Sequence, residues 1–219
     1  MKQFRIAVWM IALLSLSFSL HAQMRNIEFT EFTLDNGLKV IMHQDNTTPI
    51  VAVTITYHVG SKNEKSDRTG FAHFMEHLMF EGSDNIARGE YFKLAQGAGG
   101  SINAYTSMDK TFYYELLPSN QLELGLWMES ERLMHLKIDS IGVETQRGVV
   151  KEERSQSYDN RPYGSIMEET FKRAYSVHPY NWMPIGSVQY IDQATLGEFI
   201  EFHDTYYVPQ NAVLVIAGD

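Results

Sequence analysis

His73 and His77 stand four residues apart in the run Gly70-Phe71-Ala72-His73-Phe74-Met75-Glu76-His77-Leu78-Met79-Phe80-Glu81-Gly82-Ser83, and that spacing dictates local structure. On a helix of about 100° per residue, two imidazoles four apart lie roughly 40° apart on one face, one turn above the other. Glu76, three residues after His73, falls on the same side. The large apolar neighbours Phe71, Phe74, Leu78 and Phe80 would bury the helix while His73, Glu76 and His77 face a cleft. Neutral imidazoles suit Zn²⁺, which lowers the pKa of a bound water towards about 7, and a carboxylate beside that water can take its proton. At this chain's own residue frequencies, an H-x-x-E-H arises somewhere with a chance of about 2%. The bland alternative is a helix with two ordinary histidines.

Composition narrows the chemistry further. With 219 residues the chain forms one large domain or two small ones. Its 44% hydrophobic and 21% charged residues are those of a folded globular protein. A net charge of −9 repels polyanions, which argues against a nucleic-acid partner. There is no cysteine, so a disulfide scaffold, a thiolate nucleophile, a zinc finger and an iron–sulfur site are all excluded. Any metal must use histidine and carboxylate ligands.

Residues 1–22 read as a secretory signal peptide: Lys2 and Arg5, an apolar run from Ile6 to Leu20, and Ala22 at a cleavage position. The run is shorter than the roughly 20 residues a membrane span needs, so export to the periplasm or medium is expected, with no stable membrane insertion after cleavage. An uncleaved anchor is the competing reading. Removing Lys2 and Arg5 would take the net charge from −9 to −11.

Residues 23–219 show no linker or repeat and read as one domain. Asp35-Asn36-Gly37 turns a hairpin between Ile27 and His43, and Ile50 to Val59 is a third strand. A charged loop, Lys62 to Arg68, leads to the Phe71–Glu81 helix, and a short helix runs from about Glu90 to Gln96. A second hairpin joins Ile102–Thr106 to Thr111–Leu117, with Asp109 and Thr111 shaping its turn. Ser119 is placed to cap a helix reaching Leu136. Further helices are expected over Val143–Ser157, Tyr163–Tyr175 and Gln193–His203, then a strand over Ala212–Ala217. Hairpins mixed with runs of helices predict an α+β fold with a mixed, largely antiparallel sheet packed by helices. Tyr57, Tyr113 and Tyr114 are expected to pack the sheet. His43, His58, His135, His178 and His203 lack a partner at ligand spacing.

Three blocks, in order, resemble the pitrilysin/insulinase family of inverted zincins, which includes the mitochondrial processing peptidase. They are Gly70–Ser83, Gly99-Gly100-Ser101-Ile102-Asn103-Ala104-Tyr105-Thr106, and Gln146-Arg147-Gly148-Val149-Val150-Lys151-Glu152-Glu153-Arg154. The resemblance implies the metallohydrolase fold of that peptidase and one Zn²⁺ per chain, bound by His73, His77 and Glu153 with Glu76 as general base. Glu152 is the alternative third ligand, but neighbours on a helix point about 100° apart, so only one can reach the metal. Gln146 stands where the family often carries an acid, and it could donate a hydrogen bond behind the ligands. Asn103 and Ala104 match the family's substrate-edge strand, where an extended peptide adds by main-chain hydrogen bonds; an ordinary hairpin is the alternative. The family also implies a C-terminal half or partner subunit that completes the site, and a peptide or unfolded polypeptide substrate. A non-catalytic peptide-binding or scaffold subunit is the second functional reading, and a structural zinc site the third.

Overall fold

The computed structural model describes residues 27–219, so the expected signal peptide lies outside the described residues. Six strands form one mixed sheet in the order β1-β2-β6-β3-β5-β4. These are β1 (Thr30–Thr33), β2 (Lys39–Gln44), β3 (Ile50–Tyr57), β4 (Ser101–Thr106), β5 (Thr111–Pro118) and β6 (Ala212–Gly218). All pairings are antiparallel except β2 with β6, because the last strand inserts between β2 and β3 and runs alongside β2.

Seven α-helices are present among the described residues: α1 (Phe71–Leu78), α2 (Tyr91–Gly97), α3 (Leu122–Met134), α4 (Ser140–Arg154), α5 (Ile166–Ala174), α6 (Val188–Gln193) and α7 (Leu196–Tyr206). The expected α+β class is observed. Alternation on β3 and β5 gives the sheet one buried face, carrying Val51, Val53, Ile55, Tyr57, Tyr113 and Leu117. Of the three tyrosines expected to pack the sheet, Tyr57 and Tyr113 are fully buried and meet edge to face at 5.9 Å, whereas Tyr114 is only half-buried. Among the described residues no helix is long and apolar enough to cross a membrane.

Several element ends differ from expectation. Ser119 does not cap α3: a 3₁₀ turn over Ser119–Gln121 comes first, and the Ser119 hydroxyl reaches Asp219 instead. α4 starts three residues before Val143 because the Asp139 side chain accepts the Gly142 amide as its N-cap. The helix expected over Gln193–His203 is α7, which starts only at Leu196, where Thr195 and Glu198 form a reciprocal capping box; the short α6 before it is not among the expected elements. The turn after β4 is shaped by Ser107, whose hydroxyl accepts the amides of Asp109 and Lys110. Asp109 points outward to Lys62 and Tyr180, and Thr111 donates to the Val59 carbonyl, so neither shapes the turn.

With eight residues, α1 is too short to be stable alone. Phe74, Met75 and Leu78 are almost wholly buried, and burying side chains of this size contributes roughly 1.5–3 kcal/mol each. Phe71 and Phe74 stack on Phe199 of α7 at 4.7 and 4.4 Å, so tertiary packing fixes the helix.

Candidate metal centre

The buried face of α1 leaves His73, Glu76 and His77 on its opposite, half-buried side, where α4 crosses. Glu153 of α4 reaches over. His73 Nε2 lies 3.6 Å from one carboxylate oxygen of Glu153, and His77 Nε2 lies 3.3 Å from the other. One ligand atom from each of the three residues falls within a mutual 4.8 Å. Nitrogen and oxygen donors at about 2.0–2.2 Å from a tetrahedral Zn²⁺ stand roughly 3.3–3.6 Å apart, a range that both His–Glu153 separations meet. Glu152 is exposed and accepts from Gln156, away from both histidines.

Electrostatics set the two histidines apart. Burial, and then His77, lowers His73 to about 4, which keeps its imidazole neutral. Burial pulls His77 down as well, but Glu153 and Glu76 outweigh it, and the net shift is upward. Glu153 is lowered, chiefly by its hydrogen bond from His77. Glu76 is raised by burial, although the Thr106 hydroxyl at the end of β4 donates to it at 2.5 Å and pulls the other way.

Gln146 does more than donate. Its side-chain oxygen accepts from His77 Nδ1 at 3.1 Å while its amide donates to Glu81 at 2.5 Å. With Nδ1 donating to Gln146, a neutral His77 ring carries its lone pair on Nε2, the nitrogen on the Glu153 side. Sequence reasoning missed Thr106 as a partner of Glu76, although it closes the second block. It also missed Glu64, read as part of a charged loop but in fact a buried carboxyl beneath α1.

Asn103 and Ala104 lie on β4, an outer strand of the sheet. The Asn103 side chain is exposed and accepts its neighbour's amide, Ala104 N, at 2.9 Å. A peptide pairing there would take over that amide. A half-open pocket of about 170 Å³ lies elsewhere, beside the first residue of α1 between Glu64, Arg68, Phe71 and Phe202, and contains no comparable ligand set among the described residues.

Known proteins carry the same arrangement of chain. The family described as insulinase, peptidase family M16, matches residues 39–181. Zinc protease PqqE of Helicobacter pylori is 37% identical over 210 residues, covering 95% of this chain and 47% of that protein. A solved protease from Helicobacter pylori superposes with a TM-score of 0.84 at 36% identity, over 88% of this chain and 46% of that one. The first half of the periplasmic protease PqqL from Escherichia coli does so with a TM-score of 0.78 at 27% identity, over 87% and 42%. The chain thus spans about half the length of the curated relatives it matches.

Proposed function

The chain belongs to the insulinase family, peptidase family M16, and from that membership we propose that residues 23–219 are a zinc-dependent endopeptidase domain acting on peptides or unfolded polypeptides. The observation that carries this reading is the convergence of His73 and His77 of one helix on Glu153 of another, with Glu76 between the histidines. His73, His77 and Glu153 would hold one Zn²⁺, and the chemistry a bound ion supplies is Lewis acidity, polarising a carbonyl and acidifying water.

The chain's own residues supply the rest. Glu76 takes the proton of the attacking water and can return it to the departing amine; burial raises it above an ordinary carboxylate, which makes it the better base. Thr106 orients its carboxylate. Gln146 holds His77 in the tautomer that presents Nε2. The free edge of β4 offers main-chain groups to an extended peptide, a mode that reads little sequence and so suits varied substrates. A second, family-related half would complete the substrate grip, and export to the periplasm fits the leader expected in residues 1–22.

The test is zinc content and cleavage of an unstructured peptide by the parent chain and Glu76→Gln, each with and without a second half. The variant should retain stoichiometric zinc and peptide binding while hydrolysis falls by at least about 10²–10⁴-fold. Zinc lost from Glu76→Gln would make Glu76 a ligand. Peptide binding without cleavage by the zinc-loaded parent and its second half would favour the scaffold reading.

A further inference from the structure

The helix that carries His73, Glu76 and His77 has no cap of its own. Gly70 precedes it in a left-handed conformation, φ 98°, and no neighbouring side chain takes the first amides. Those amides are met from six and eight residues back: Glu64 Oε2 accepts Gly70 N at 3.0 Å and Glu64 Oε1 accepts Ala72 N at 2.8 Å. The same Oε2 accepts the Trp182 indole N–H at 3.0 Å. At the other end, the Met79 carbonyl is met by Arg132 Nε of α3 at 3.3 Å.

Neither side chain is a surface ornament. Glu64 is 8% exposed and Arg132 not at all. Arg132 lies 4.8–5.1 Å from the ring centres of Phe80, Tyr91 and Tyr113 and is held by Glu129 and Glu115. Burying such groups is costly, so their placement at the two ends of one eight-residue helix calls for a return.

We infer that Glu64 and Arg132 are positioning residues that clamp the two ends of α1 and so set His73, Glu76 and His77 relative to Glu153. The clamp rests on the reading of this site as a zinc peptidase. The route to Glu153 is physical. Glu64 joins α1 to Trp182, and Gly186, four residues on, packs so tightly on Gly70 that a Cβ there would come within 2.3 Å of the Gly70 Cα. Arg154, adjacent to Glu153, donates to the Gly186 carbonyl. One segment, residues 182–186, therefore touches both the start of the histidine helix and the end of the glutamate helix. A shift of α1 by a fraction of its rise would open the His–Glu spacing that the metal needs.

The experiment compares the full chain with Glu64→Gln, Arg132→Met and Val40→Ala, the last a buried change on β2, a strand that carries none of the partners of either clamp. Zinc affinity by competition titration, kcat and KM separately with the second half present, and hydrogen exchange of α1 amides without metal are measured. Glu64→Gln and Arg132→Met should each weaken zinc by about 10–100-fold. They should also lower kcat with KM within about twofold, and speed α1 exchange. Val40→Ala should do none of these at a matched loss of thermal stability. Equal effects in all three would overturn the clamp. Should Arg132→Met not fold, Arg132→Lys keeps the charge but cannot reach Met79 and both carboxylates together, and should give the same pattern. If the parent binds no zinc, the peptidase reading fails, while α1 exchange in Glu64→Gln still decides the clamp: unchanged exchange overturns it.

Discussion

At the scale of single residues, the behaviour of His77 turns on Gln146, an amide where the family often carries an acid. An amide oxygen accepts from Nδ1 without adding a negative charge behind the imidazole, so it fixes the tautomer while leaving the ring a weaker base than a carboxylate would. Gln146→Ala should weaken zinc binding by about 10–100-fold, measured by competition with a chelator. Glu153→Gln should cost far more affinity than Glu152→Gln, and equal losses would displace Glu153 from the ligand set. Glu64 gives a pH prediction. Burial raises it from 4.5 to about 8 against the pull of the Ala72 and Gly70 amides and the Trp182 indole. Lys65, Arg68 and Glu198 line the neighbouring cavity, and Tyr207 faces the carboxyl from the core. Between about pH 4.5 and about 8 the folded chain holds a proton that the unfolded chain has released, so this group's contribution to stability falls as pH rises through that window. Gln cannot titrate, and Glu64→Gln should therefore gain stability relative to the parent from about pH 5 to about pH 8. Urea midpoints across that range check it, and parallel curves would refute it. The histidines and Glu76 were legible because their relation is local to one helix. Glu64 was not, since a carboxyl among Lys62, Lys65 and Arg68 reads as solvated and only the fold reveals its burial.

At the scale of elements, the site depends on how α4 is held, because Glu153 lies near its end. Asp139 caps its start and also binds Arg88, which in turn meets Glu81, the acceptor of the Gln146 amide. Arg147 donates to the carbonyls of Ile191 and Ala194 at the α6–α7 junction, fixing the helix midway. Asp139→Ala should cost about 1 kcal/mol, within the range of lost N-caps, seen as a lower urea midpoint at unchanged slope. Strand existence was readable from alternation and turn residues, as in β1–β2 and β4–β5. Helix ends were not. Ser119 has good capping chemistry, yet its hydroxyl is drawn to Asp219, a hundred residues away. Asp139 wins as a cap by accepting an amide three residues on. The inward Glu115 of β5 was likewise beyond sequence reasoning, because its partner Arg132 belongs to a helix that only the tertiary fold lays across the sheet.

At the scale of the whole molecule, this chain covers about half the length of the curated relatives it matches, and the side of α1 that carries His73, Glu76 and His77 is half-buried. Glu153 keeps 42% of its side-chain surface exposed. Among the described residues β4 is an outer strand of the sheet, and its Ala104 amide donates to the Asn103 side chain. The proposed metal ligands and base thus come together within this chain, on a side of α1 that stays partly open. Correct placement of reactants can supply roughly 7–11 kcal/mol of a barrier, so ligands without that grip can turn over very slowly. We predict that residues 23–219, loaded with zinc, cleave an unfolded peptide far more slowly alone than when a second, family-related half is supplied in trans. Zinc affinity should be the same in both mixtures, since all three proposed ligands lie in this chain. The rise should appear in kcat and KM together, because the added half both binds and orients the peptide. Undiminished activity in a strictly monomeric chain, established by sedimentation at the assay concentration, would show that one half suffices and that the β4 edge grips substrate unaided.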